Sequence, residues 1–87
     1  MITKNIDINL ENETGARPVA MLVQVASKYK SHINIQQDNR TVNAKSIMGM
    51  MTLGLISGQK VEVSVEGEDE NQAMENIEQF LGGMKSE

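Results

Sequence analysis

"VEVSVEGEDENQAMENI", residues 61–77, holds both periodicities from which this chain builds its fold. Val61, Val63 and Val65 alternate with Glu62, Ser64 and Glu66, the period-two signature of a strand with one buried face. Gly67 turns the chain. Asp69 then stands three residues before Gln72, a capping-box spacing, and Ala73, Met74, Ile77, Leu81 and Met84 recur at the spacing of a helix stripe. Gly82-Gly83 weakens the last turn of that helix. The acids Glu66, Glu68, Asp69 and Glu70 fall at a strand-to-helix turn, where negative charge favours the helix start. They read as capping rather than as a metal or acid–base site.

The same reasoning extends towards the N-terminus. Ile2, Lys4, Ile6, Ile8 and Leu10 share one parity, with Asn5, Asp7 and Asn9 on the other, which predicts a half-buried strand. Pro18 suits the first turn of a helix, where its missing N–H costs nothing. Val19, Leu22, Val23 and Ala26 follow as its stripe, ending near Lys28 to Lys30. Residues 32–43 read as a hairpin turning at Asp38-Asn39. Ser46, a favoured N-cap type, opens a helix that Gly54 keeps short, with Met50 and Leu53 facing the core. The order is βαββαβα, the pattern of an α+β domain with helices on one face of a sheet. A chain of 87 residues is expected to form one domain spanning residues 1–87.

Composition narrows the chemistry. There is no cysteine, which removes disulfides, thiolate nucleophiles and thiolate metal sites. Met1-Ile2-Thr3-Lys4 leads into a polar segment unlike a signal peptide, and no run is long enough to span a bilayer. The expectation is a soluble cytoplasmic protein. Net charge is −4, and Tyr29 and Phe80 are the only aromatic residues. Both facts argue against nucleic acid as a direct partner. Residues 1–60 hold seven basic and four acidic residues, whereas residues 61–87 hold one and eight. The acidic half reads as a solvated helix. His32, the only histidine, falls at a strand start without an evident carboxylate partner. No residue set supports an enzyme, a metal centre or a bound cofactor.

Two features remain. As an N-cap, Ser46 is structurally explained by its own helix. A helix N-terminus also tolerates an anion, so a phosphate on Ser46, carrying about −1.5 to −2 charge, is compatible with the fold. Lys45 is its neighbour in sequence. The second feature is apolar. Ile47, Met48 and Met51 lie off the Met50-Leu53 face, and Met21 lies off the stripe of the first helix. They form either a contact patch rimmed by Arg17 and Lys45 or the filling of a loose core, and periodicity leaves both open.

The segments "GARP" (15–18), "LVQVASKY" (22–29), "VNAKSIMGMMTLG" (42–54) and "GEDENQAMENI" (67–77) resemble the HPr family of the bacterial phosphotransferase system over almost the whole chain. The resemblance implies an open-faced β-sandwich, a four-stranded antiparallel sheet with three helices on one face. In the family a histidine precedes Ala-Arg-Pro and carries a phosphoryl group from Enzyme I to sugar permeases. Here Gly15 stands at that lost phosphohistidine position. The family's regulatory serine matches Ser46. In Gram-positive relatives an ATP-dependent HPr kinase/phosphorylase modifies it, and the phosphoprotein acts as corepressor for a LacI-type catabolite control regulator. The catabolite repression HPr-like branch (Crh) is similar in lacking the histidine and keeping the serine, although it is described with glutamine where this chain has Gly15. The resemblance implies a regulatory phosphoacceptor with Ser46 as acceptor. It sets Arg17 as a phosphate neighbour, beside Lys45, and Met21, Ile47, Met48 and Met51 as the contact surface. A phosphocarrier and an unphosphorylated docking module are the alternatives.

Overall fold

The computed structural model describes residues 1–10, 16–56 and 58–82. In chain order its elements are β1 (Ile2–Asp7), α1 (Ala16–Ser27), β2 (His32–Gln37), β3 (Arg40–Asn43), α2 (Ile47–Leu53), β4 (Lys60–Glu66) and α3 (Glu70–Leu81). The four strands form one sheet in the order β1-β4-β2-β3, and each adjacent pair is antiparallel. This is the expected βαββαβα arrangement. Gly15 and Met84 lie outside the described residues.

The register explains how one face becomes the core. Val65 stands between Ile2 and Ile33, and Val63 between Lys4 and Ile35, which in turn faces Val42. These rows, apolar except for Lys4, meet the buried faces of the helices: Val19, Leu22 and Ala26 of α1, Met50 and Leu53 of α2, and Ala73, Met74, Ile77 and Leu81 of α3. The other parity is polar throughout: Thr3, Ser64, Asn34 and Asn43 form one transverse row, and Asn5, Glu62, Gln36 and Thr41 the next. A one-residue slip of register would exchange these faces, so the pairing is strongly specified.

Two edge details depart from the simple alternation. Lys4 sits at a core-parity position on the edge strand β1, and its ammonium reaches Glu78 of α3 at 3.0 Å. An inward-pointing charge of this kind discourages pairing with another chain. β1 also ends at Asp7, although the apolar parity runs on to Leu10. Its partner β4 begins only at Lys60, opposite Asp7. Ile8 and Leu10 remain buried. Ile8 is bonded at both backbone groups instead, donating to Gln59 O and accepting from Gly58 N, each at 2.8 Å.

Candidate functional site

The region around Ser46 is built from its backbone outward. Ala44 N donates to Ile33 O at 2.9 Å and Ser46 N to Asn43 O at 2.9 Å, while the Asn43 side chain accepts from Lys45 N at 2.8 Å. Ser46 itself is extended (φ −102°, ψ 112°), and its Oγ accepts the Gly49 N–H at 3.1 Å. That is the N-cap expected from the sequence, satisfying one of the orphan donors of a helix start. Ser46 is half-buried. A Cβ on Gly49 would lie 3.4 Å from that hydroxyl and from Val42 Cβ.

The far end of α2 is equally defined. Gly54 takes φ 77° and donates its N–H to Met50 O. Arg40 Nη1 donates to Thr52 O at 2.9 Å. α2 has no basic residue in its own last turn, so β3 supplies the cation that its C-terminal carbonyls favour.

α1 and α2 pack against each other. Along this pair, Met21 is 40% exposed, Ile47 44%, Met48 78% and Met51 50%, whereas Met50 is fully buried. The split between inward and outward methionines is therefore real, and the reading in which they fill a loose core does not hold for these four residues. Ile56, just past α2, is also exposed at 52%. Sequence reasoning passed over it because it follows a glycine outside any periodic segment.

The two cations are held apart. Lys45 Nζ donates to the carbonyl of Tyr29 at 2.7 Å, just beyond the C-terminal end of α1. Arg17 is exposed in the first turn of α1. Among the described residues it makes no hydrogen bond or ion pair. Twelve helical residues rise about 18 Å, so Lys45, and not Arg17, sits at the α1 end beside Ser46. Lys45 supplies the C-terminal charge that α1 lacks in its own last turn.

The α1–β2 loop receives a second tie from α3. The Asp69 carboxylate accepts from Lys30 N at 2.9 Å, from Ser31 N at 3.0 Å and from Ser31 Oγ at 2.5 Å. This corrects the capping-box reading, because Asp69 makes no side-chain bond to its own helix. Its oxygens are occupied by a loop 38 residues earlier in sequence. The bond from the Ser31 hydroxyl, then that from Lys30 N–H, hold its carboxyl below the usual range against some burial. Glu70 takes over near the helix start, accepting from Gly67 N at 3.0 Å and facing the N-terminal ammonium at 3.4 Å. The Gly67 N–H bond leads in lowering its pKa. A third tie joins Asn76 Nδ2 to Tyr29 Oη.

His32 is exposed, and across the ladder it stands opposite Glu66. A carboxylate neighbour therefore exists on the adjoining strand, which sequence order concealed. Among the described residues no group of three or more His, Asp or Glu side chains is arranged to hold a metal ion. No helix among them is long and apolar enough to cross a membrane.

An open-faced sheet with helices on one side, and exposed apolar residues on a helix pair beside a serine that caps the second helix, defines a small HPr-type α+β protein. Residues 2–82 match the PTS-HPr family, described as the PTS HPr component phosphorylation site. The chain belongs to that family. It is similar to the HPr-like protein Crh of Halalkalibacterium halodurans, 42% identical over 93% of this chain and 96% of the relative. The phosphocarrier protein HPr of Buchnera aphidicola is 38% identical over 98% of this chain and 100% of the relative. Among solved structures, the phosphocarrier protein HPr of Bacillus anthracis superposes with a TM-score of 0.86 at 38% identity, covering 92% of this chain and 95% of that one. The Bacillus subtilis Crh crystal structure, described as a domain-swapped dimer, has a TM-score of 0.77 at 33% identity and covers all of both chains.

Proposed function

We infer that this protein is a non-catalytic regulator of carbon catabolite repression in the cytoplasm. An HPr kinase/phosphorylase phosphorylates it on Ser46, and the phosphoprotein is corepressor for a LacI-type regulator. The observation that carries the reading is the pairing of two sequence positions: Gly15 beside an intact Ala16-Arg17-Pro18, and Ser46 within an intact Lys45-Ser46-Ile47-Met48-Gly49. The phosphotransfer motif lacks a nucleophile, while the serine segment retains its hydroxyl. Partial exposure of Ser46 and the methionine face beside it support the same conclusion. Arg17, without a partner among the described residues, is available to an anionic group on the regulator through a charge-assisted contact.

The test is incubation with an HPr kinase and ATP. One acid-stable phosphate is expected on the wild type and none on Ser46→Ala. Equal labelling of the two proteins would overturn the assignment. The contact surface has its own test. Met48→Gln is expected to change folding stability by less than about 0.5 kcal/mol, as an exposed substitution, yet weaken binding of the phosphoprotein to the regulator on the order of tenfold. Titration by calorimetry measures both binding and its stoichiometry.

The second reading, a phosphocarrier, is favoured by the similarity to proteins named phosphocarrier protein HPr. It requires an acceptor other than position 15, and His32 is the only histidine. Phosphoenolpyruvate with Enzyme I discriminates: acid-labile phosphate on this chain would favour the carrier reading.

A further inference from the structure

Lys45 links two places on the molecule. Its backbone adjoins Ser46, but its ammonium ends on the Tyr29 carbonyl. The turn that it holds is otherwise weakly closed: Lys28 N and Tyr29 N reach back only three residues, to Val25 O and Ala26 O, each at 3.2 Å. Tyr29 also forms one wall of an open groove of about 420 Å³ between α1 and α3, lined by Val25, Lys28, Tyr29, Asn76, Gln79 and Phe80. Both aromatic residues of the chain line this groove.

We propose that phosphorylation of Ser46 is signalled to the α1–α3 groove by transfer of the Lys45 ammonium from the Tyr29 carbonyl to the phosphate. This rests on Ser46 as the acceptor and adds how the modification is transmitted. A carbonyl oxygen bears only a partial charge, whereas the phosphate brings close to two full negative charges to the adjacent residue. A charge-assisted bond to an ion outcompetes one to a neutral acceptor. The long, flexible lysine stem allows the ammonium to change partner without backbone movement. Once Lys45 leaves, the end of α1 loses the cation that offsets its helix dipole.

The release stops at a defined point. Lys30 N and Ser31 N are bonded to Asp69, which immediately precedes α3 and has no bond to Lys45. The Tyr29 hydroxyl likewise keeps its bond to Asn76, so loosening falls on the backbone of Lys28 and Tyr29, two of the residues that line the groove.

Amide hydrogen exchange by NMR tests this on protein with phosphoserine installed at position 46 during translation. Exchange at Lys28 and Tyr29 is expected to accelerate on the order of fivefold, with Lys30 and Ser31 unchanged, as a local opening rather than a global one. In Lys45→Met the two amides are expected to exchange fast already, and phosphoserine adds nothing further. Unchanged exchange at Lys28 and Tyr29, or the same acceleration by phosphoserine in Lys45→Met, would overturn the proposal. A readout that needs no variant is the side-chain ammonium signal of Lys45. It follows the titration of the phosphate if the transfer occurs, and its indifference to that titration contradicts it. Because translation installs the phosphate, the outcome is separate from whether a kinase accepts the protein.

Discussion

Gly67→Ala is expected to lower the free energy of unfolding by about 2–4 kcal/mol, in the upper range for a single substitution. Two effects coincide there. Gly67 has φ +154°, a conformation that side-chain-bearing residues rarely adopt, and an added Cβ would meet Ser31 Oγ at 2.5 Å, Ser31 Cα at 2.6 Å and Ser31 Cβ at 2.9 Å. Two of those atoms cannot rotate away, and Ser31 is bonded to Asp69 through both its backbone and its hydroxyl. Gly54→Ala provides the comparison. Gly54 has φ +77° and ψ 153° with nothing within 4 Å of the added carbon, so only the backbone cost of a region open essentially to glycine, roughly 1–3 kcal/mol, applies. Urea unfolding of both variants separates collision from backbone strain. Equal losses would mean that the Gly67–Ser31 contact relaxes freely.

The second large effect concerns Asp69. Asp69→Asn is expected to destabilise the fold at neutral pH, because the amide replaces a charged acceptor with a neutral one and presents donors towards donors. The direction with pH follows from the lowered pKa. In the unfolded chain Asp69 titrates near the ordinary value of about 3.9. Its folded value lies lower, so the unfolded state binds the proton first as the solution is acidified. The stabilisation is fully present above the unfolded pKa and is lost as pH falls through the folded pKa. Glu70 shifts in the same direction and adds to the acid sensitivity. Thermal melts of wild type and Asp69→Asn from pH 7 to pH 2 are expected to differ most at neutral pH and to converge in acid. A constant difference would show that the charge of Asp69 contributes nothing.

These ties show why some of the molecule was legible in the sequence and some was not. Val61, Val63 and Val65 declare their strand because side chains on one face of a sheet must alternate. Ala73, Met74, Ile77 and Leu81 declare α3 by the helical period, and all are buried. Ser46 as N-cap was readable because capping is local: donor and acceptor are three residues apart. Asp69 had the same local signature, and it misled. Its carboxylate binds two backbone N–H groups, which every residue but proline possesses, and one serine hydroxyl 38 residues away, so its real partners leave no local mark in sequence. Lys45 and Arg40 were hidden for the same reason, each ending on a backbone carbonyl. The outward set of Met21, Ile47, Met48 and Met51 was half legible. Period marked these residues as off the core stripe, but only the packing of α1 on α2 showed that they stay exposed.

The phosphorylated form is where these elements meet. In the function proposed above, Ser46 is the acceptor, the exposed methionines are an adaptable surface, and Arg17 is the cation of a motif whose first position is Gly15. The most direct test of this account is the phosphate content of the protein isolated from sugar-fed cells, measured by intact mass and mapped by fragmentation. The account predicts a single acid-stable phosphate on Ser46. Protein carrying none, or carrying an acid-labile phosphate on His32, would contradict it.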